Sequence, residues 1–270
     1  MGDTFKHKKS LGQNFLNSDV VPSWMCDAAD VSKQDTVVEI GPGTGALTAE
    51  LLARGARVIA LEADERAIAV LRERFREACQ SGQLIIHHQD ARTLDFGELS
   101  LDNRAFKVVA NIPYYLSGLL FRTCLSQAIK PNLIVFLVQK EVAKRIASDS
   151  AKGEKESLLS LSVKAYGIPQ YIKTVSRGHF TPSPAVDSGI IAVRNISNEH
   201  FHELDEDLFF VLLHLGFGQK RKQLMGNLAA QYDRKQIEAV FTQLGIPAHV
   251  RAEDLPLATW LALTQALYTS

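Results

Sequence analysis

Long apolar runs are missing from this chain. None is longer than Leu133 to Val138, which is far too short to cross a bilayer, so no membrane partner is expected. The Lys-rich N-terminus has no apolar stretch of the kind a secretory signal needs, nor the Arg- and Ser-rich amphipathic pattern of a transit peptide; a cytoplasmic location is expected. Cysteine is scarce. Cys26, Cys79 and Cys124 are widely separated and no Cys-x-x-Cys occurs, which excludes a zinc ribbon and a disulfide framework and leaves idle thiols. His87-His88 and His200-x-His202 lack a third ligand in sequence, so no metal is expected. An excess of charge is lacking too: 30 Lys and Arg stand against 30 Asp and Glu, and a nucleic-acid partner would need a local basic face. No internal repeat or low-complexity segment occurs. What is present is a 46% hydrophobic chain of 270 residues, enough for a packed core in one large domain or one plus a small partner.

The stretch Val37-Val38-Glu39-Ile40-Gly41-Pro42-Gly43-Thr44-Gly45 organises the rest. A β-branched apolar run ends in three glycines at alternate positions, and a helical pattern follows from Ala46 to Arg54. That is a strand, a tight turn and a helix start; glycines there permit positive φ and close approach of a ligand, and the free N–H groups favour an anionic or polar end. A second apolar strand, Arg57 to Leu61, ends in Glu62, where an acid can accept both hydroxyls of a ribose. Loop and acid together read as a nucleoside-cofactor site. Gly41, Gly43 and Ala46 also satisfy the dinucleotide fingerprint, so NAD stays open at this point.

Strands are expected at 36–40, 57–61, 83–87, 107–110 and 132–138, with helices at 46–54, 64–78, 117–129 and 140–148, after a first helix capped by Asn17 or Ser18 and running to about Ala29. This alternation implies an α/β fold: an open, mostly parallel sheet, covered on both faces, that binds ligands beyond the carboxyl ends of its strands. Polar residues 149–156 read as a mobile loop, 158–165 as a helix, and 170–176 with 189–194 as a hairpin closing the sheet edge. Beyond Ser197 only helical patterns remain, at about 205–215, 221–231, 233–244 and 253–268, with Asp205, Asp233 and Glu253 suited to helix starts. Two domains are expected, 1–195 around the nucleoside site and a small all-α one at 196–270.

Asn111-Ile112-Pro113-Tyr114 follows the strand Lys107 to Ala110. An Asn side-chain oxygen and a backbone carbonyl can hold both N–H groups of an exocyclic aromatic amine, whose lone pair is otherwise delocalised into its ring. Pro113 fixes φ, and Tyr114 can stack on a base. Asp90, beside the Ala91 N–H, can accept from a cofactor adenine amine; the plainer reading is a turn aspartate. The Lys6-His7-Lys8-Lys9 cluster reads equally as a solvated tail.

Taken in order, Lys9-Ser-Leu-Gly-Gln-Asn-Phe-Leu16, Glu39-Ile-Gly-Pro-Gly-Thr-Gly45, Asn111-Ile-Pro-Tyr114, Val138-Gln-Lys-Glu-Val-Ala-Lys-Arg145, Phe180-Thr-Pro-Ser-Pro-Ala-Val-Asp-Ser188 and Phe217-Gly-Gln-Lys-Arg-Lys-Gln-Leu224 span nearly the whole chain. They resemble the ribosomal RNA adenine N6,N6-dimethyltransferase family of the small ribosomal subunit. The resemblance implies the class I methyltransferase fold with its Rossmann-like sheet, S-adenosylmethionine as methyl donor, and dimethylation of two adjacent adenosines in a hairpin near the 3′ end of 16S rRNA, on the immature 30S subunit and as a monomer. It implies that Gln13, Asn14 and Leu16 close over the donor, that Gly41 and Gly43 lie along its methionine part, Glu62 on its ribose, and Asp90 with Ala91 on its adenine. Asn111 would serve both donor and target amine, with Tyr114 and Phe180 as a catalytic sandwich around the target base. Lys8, Lys9, Lys220, Arg221 and Lys222, the last three opening a helix, become candidate phosphate contacts. Two departures stand out. Tyr115 replaces a residue that is often smaller and polar, and Ser157 to Val163 lacks the Tyr-Gly-Arg that usually precedes Leu-Ser-Val. The rivals are a resistance enzyme acting on 23S rRNA and a non-catalytic ribosome-assembly factor on the same scaffold; a NAD dehydrogenase lacks any constellation for hydride chemistry.

Overall fold

A computed structural model describes residues 14–269; Gln13, Lys8 and Lys9 lie outside the described residues. The chain divides into two compact units rather than at one point near residue 196. One holds the chain up to Lys144 and Pro169–Ile196, the other Arg145–Ile168 and Ser197 onward.

In the first unit the strands are β1 (Phe15–Leu16), β2 (Thr36–Ile40), β3 (Arg57–Glu62), β4 (Leu84–His88), β5 (Phe106–Asn111), β6 (Leu133–Gln139), β7 (Ile168–Val175), β8 (Phe180–Thr181) and β9 (Ser188–Arg194). The main sheet runs β4-β3-β2-β5-β6-β9-β7, with β4 through β6 parallel and β9 antiparallel to β6. Its central strands are apolar almost throughout, the signature of strands covered on both faces. Order reverses beside β2: β3 lies on one side and β5 on the other, which opens a crevice at their carboxyl ends. The two segments expected as an edge hairpin, β7 and β9, are neighbours at the sheet edge, with β8 between them in sequence.

The helices of this unit are α1 (Val20–Ala28), α2 (Ala46–Ala53), α3 (Glu65–Arg74), α4 (Arg76–Ser81), α5 (Ser117–Ser126) and most of α6 (Lys140–Ile146). Two expectations fail here. Asp19 holds the N-cap of α1 without a side-chain bond, because Asn17 is used elsewhere: its amide donates to Thr181 Oγ1 at 2.9 Å and its N–H to the His179 carbonyl. The single helix expected at 64–78 breaks at Phe75, which leaves helical geometry (φ −115°, ψ 36°). Its ring packs so closely under Gly45 that a Cβ there would lie 2.5 Å from Phe75 Cε2.

The second unit contains α7 (Leu158–Lys164), α8 (Glu206–Gly216), α9 (Leu224–Leu228), α10 (Arg234–Leu244) and α11 (Leu257–Thr269). Asp205 and Asp233 cap α8 and α10 as read from sequence. Glu253 does not start a helix; it sits in a 3-10 turn, and α11 begins behind Pro256. The expected helix 221–231 shrinks to α9, so Lys220, Arg221 and Lys222 lie exposed in the turn before it instead of opening it. No helix among the described residues is long and apolar enough to cross a membrane.

Residues 149–156 are not a loose loop. Asp149 caps a short turn, and Glu156 is buried beneath α7. Lys164 Nζ donates to both Glu156 oxygens (2.6 and 2.8 Å) and to the Ser148 carbonyl, while Ser160 Oγ donates to Glu156 Oε2 at 2.7 Å. Tyr166 bonds Glu206 and stacks on Phe210, which ties this segment to α8. Lys164→Ala is expected to lower stability by about 3 kcal/mol in urea denaturation, because a buried carboxylate loses its countercharge.

Candidate functional site

A cavity of about 400 Å³ lies beyond the carboxyl ends of β2 to β5. Gly41 and Gly43 form its floor, Glu62 and Ala63 one side, Asp90 to Arg92 the next, and Asn111 to Leu116 the other, with Asn14 and Phe15 above. The volume suits a small organic ligand. Gly41 (φ +68°) has no atom within 4 Å of where a Cβ would stand, so a side chain there would fill ligand space rather than protein. Gly43 (φ +58°) is different: a Cβ would meet Phe15 Cε1 at 2.5 Å. Gly43→Ala is expected to displace the Phe15 ring and weaken binding of the S-adenosylmethionine that the sequence resemblance implies by on the order of tenfold or more, measured by calorimetry, since strain and clash act together.

Glu62, 5% exposed, is already engaged. Its Oε2 accepts from the Gly43 N–H at 3.0 Å, and its Oε1 from the N–H groups of Ala63 and Asp64, both at 2.9 Å. A carboxylate offers about four acceptor sites. One therefore remains for a ribose hydroxyl, and accepting both hydroxyls requires displacing the Gly43 N–H. Behind Gly41 a smaller cavity is lined by Leu16, Glu39 and Asn111 among others. Leu16 lies there and not in the larger cavity.

Asn111 ends β5. Its Nδ2 donates to the Asn14 carbonyl at 3.1 Å, so the side-chain oxygen is left as a free acceptor. The Ile112 carbonyl, the next acceptor along, receives no backbone hydrogen bond among the described residues. Both residues line the cavity. Tyr114 is half-buried and held by a 2.7 Å bond between its hydroxyl and Ser188 Oγ; burial raises its phenol above the usual value, so it stays neutral. Tyr115, 64% exposed, stands at the rim.

Asp90 takes the plainer of its two roles. It caps the turn Ala91–Thr93 through the Arg92 N–H (2.8 Å) and grips the Arg92 guanidinium with both oxygens, which holds its carboxyl below the ordinary value. Phe180 does not line the cavity. It is 3% exposed in the core cluster and pairs through β8 with Leu16 of β1. A ring packed there cannot also sandwich a base without leaving the core. Phe15, Arg92 and Ser188 are site residues that reading the sequence left unassigned. Phe15 and Ser188 sit inside the quoted motifs, but nothing local marks the ring under which Gly43 turns. No cluster of three metal-binding side chains occurs among the described residues.

Residues 4–268 match the family model described as ribosomal RNA adenine dimethylase. The chain belongs to the ribosomal RNA adenine dimethylase family. It is 38% identical over 264 residues to the ribosomal RNA small subunit methyltransferase A of Dehalococcoides mccartyi, covering 97% of this chain and 89% of that one. Among solved structures, a dimethyladenosine transferase from Plasmodium falciparum is 26% identical, with a TM-score of 0.77 over 94% of this chain and 98% of that one. The 23S rRNA methyltransferase ErmE superposes with a TM-score of 0.71 over 94% of this chain and all of that one; at 23% identity this likeness shows the fold. The family's fold is that of class I S-adenosylmethionine-dependent methyltransferases, and the parallel sheet with its crevice beside β2 is that fold.

Proposed function

We propose that this protein transfers methyl groups from S-adenosylmethionine to N6 of two adjacent adenosines, two to each, in a hairpin near the 3′ end of small-subunit ribosomal RNA. It acts in the cytoplasm as a monomer on the immature 30S subunit, without a metal. Family membership supports the reaction, and the relative from Dehalococcoides mccartyi supports the small subunit as its target. The observation that carries the chemistry is the pair of open acceptors, Asn111 Oδ1 and the Ile112 carbonyl, in the same cavity as Gly41, Gly43 and Glu62.

The residues fit the donor. The open space over Gly41 admits a methionine chain, and the remaining acceptor site of Glu62 admits a ribose hydroxyl. Asp90 and Ala91 flank the far end, where the adenine would lie. When bound, S-adenosylmethionine supplies a methyl group made electrophilic by its sulfonium.

Asn111 Oδ1 and the Ile112 carbonyl accept the two N6–H groups of an everted adenosine and localise the nitrogen lone pair toward that methyl. Tyr114 stacks on the base, and Phe15 with Leu116 excludes water. No strong base is needed, because the nitrogen becomes acidic only after it is methylated; its proton then leaves to solvent. Rate enhancement here is positioning. Dimethylation requires that the monomethyl amine still fit beside Asn111 with one N–H held.

The test is to incubate the protein and labelled S-adenosylmethionine with small subunits that lack N6 methylation, then map the label. Two neighbouring dimethyladenosines are expected. Label confined to other positions of the small-subunit RNA, or none at all, would overturn the proposal.

A further inference from the structure

The first unit has a second groove, of about 530 Å³, lined by Gln139, Lys140, Glu141, Arg177, Val186 and Asp187. It begins where the crevice ends. Asn111 lies opposite Leu137 on β6, and Gln139 lies opposite Ser188 on β9. Ser188 in turn bonds the Tyr114 hydroxyl, so the Tyr114–Ser188 pair stands between the cavity and the head of the groove. Two strand spacings, roughly 10 Å, separate β5 from β9. That is within reach of a nucleotide flanking a base held beyond β5.

The groove's chemistry is unassigned by the reaction. Among the described residues, neither the Lys140 ammonium nor the Arg177 guanidinium makes a hydrogen bond or ion pair. Asp187 is anchored by its own backbone and one oxygen: its carbonyl accepts from the Lys140 N–H at 3.0 Å, and Oδ1 from the Arg177 N–H at 3.2 Å. Its Oδ2 has no donor among the described residues. Glu141 and Asp187 offset the two cations, so the groove is a poor trap for a free anion. Its partner must bring a phosphate and a hydroxyl donor together, which is what a ribonucleotide offers and a deoxyribonucleotide does not. Half-exposed Val186 adds an apolar contact for the sugar.

We propose that this groove seats the ribonucleotide next to the target adenosine, with Lys140 and Arg177 on its phosphates and Asp187 Oδ2 accepting its 2′-hydroxyl. It rests on the adenosine-methylating function above and assigns a part of the RNA which that function leaves unplaced.

Wild-type protein is assayed first on small subunits lacking N6 methylation. Absence of transfer there overturns both; with transfer established, the groove is tested alone. Lys140→Ala with Arg177→Ala is expected to raise KM for the subunits on the order of tenfold and to flatten the log–log salt dependence of binding by about 0.7 for each phosphate no longer neutralised. S-adenosylmethionine affinity stays at the wild-type value, and Arg177→Lys recovers most of the KM. Subunits reconstituted with a 2′-deoxy sugar beside the target adenosines raise KM for the wild type but not further for Asp187→Ala. An unchanged KM and salt slope in the double variant, or equal losses from the deoxy sugar with and without Asp187, would overturn the assignment.

Discussion

Asn111→Ala is expected to cut methyl transfer by at least about 10²–10³-fold in single-turnover assays while S-adenosylmethionine affinity falls only modestly. The magnitude is that of removing one preorganised polar group from a reacting centre. Two losses combine. The Oδ1 acceptor disappears, and so does the bond from Nδ2 to the Asn14 carbonyl that aims it. Asn111→Asp separates them: it keeps two acceptors, but it sets a carboxylate against the Asn14 carbonyl, so the aim is lost while the acceptor remains. A large loss in both variants assigns the effect to orientation, whereas activity retained in Asn111→Asp assigns it to acceptance of the amine. Transfer near the wild-type rate in Asn111→Ala removes the role altogether. Cofactor affinity decides whether the defect lies in the chemistry, since the proposed function assigns most of the donor's grip to Gly41, Gly43 and Glu62, which line the same cavity.

What the sequence discloses is what local pattern controls. The central strands are legible because they are buried on both faces and so read as unbroken apolar runs, and Asp205 and Asp233 are legible because a cap is a short-range bond. The failures share a different cause. Phe75 breaks a good helical pattern because its ring is wanted under Gly45, far away in sequence; tertiary packing overrides propensity. Residues 149–156 look like a mobile loop because the Lys164–Glu156 bond that folds them back cannot be read from composition. At the site, the motif fixes which residues stand near the cavity but not what each already holds. Glu62 has spent most of its acceptors on N–H groups, Asp90 is occupied by Arg92, and Phe180 is committed to the core. The residues around Asn111 and Gly43 are where motif and geometry coincide, because there the constraint is backbone conformation, which the glycines and Pro113 write into the sequence.

Glu39→Gln is expected to change how stability depends on pH. Glu39 lies on β2, 1% exposed, and its Oε2 accepts from Thr48 Oγ1 at 2.7 Å. Burial pushes its carboxyl up to about 8 from an ordinary 4.5; the Thr48 hydroxyl opposes this in part, and the charge of Glu62 adds to it. Between those values the folded protein holds a proton that the unfolded chain has released. Unfolding therefore sheds a proton, and stability falls as pH rises through the window: the contribution is complete below about pH 4.5 and gone by about pH 8. At roughly 1.4 kcal/mol per unit, the full span is on the order of 5 kcal/mol. The substituted glutamine keeps an oxygen for Thr48 and has nothing to ionise, so the wild-type stability minus that of the variant should decline across the window in urea titrations and be flat on either side. Parallel curves would show that Glu39 titrates normally. The same proton ties the acid to the ligand. Glu39 lines a small cavity that shares Phe15, Gly41 and Asn111 with the larger one, and a cation bound there favours its ionised form. By reciprocity, affinity for a sulfonium donor should rise with pH toward about 8 in the wild type and not in Glu39→Gln, with proton release visible by calorimetry in two buffers of different ionisation heat.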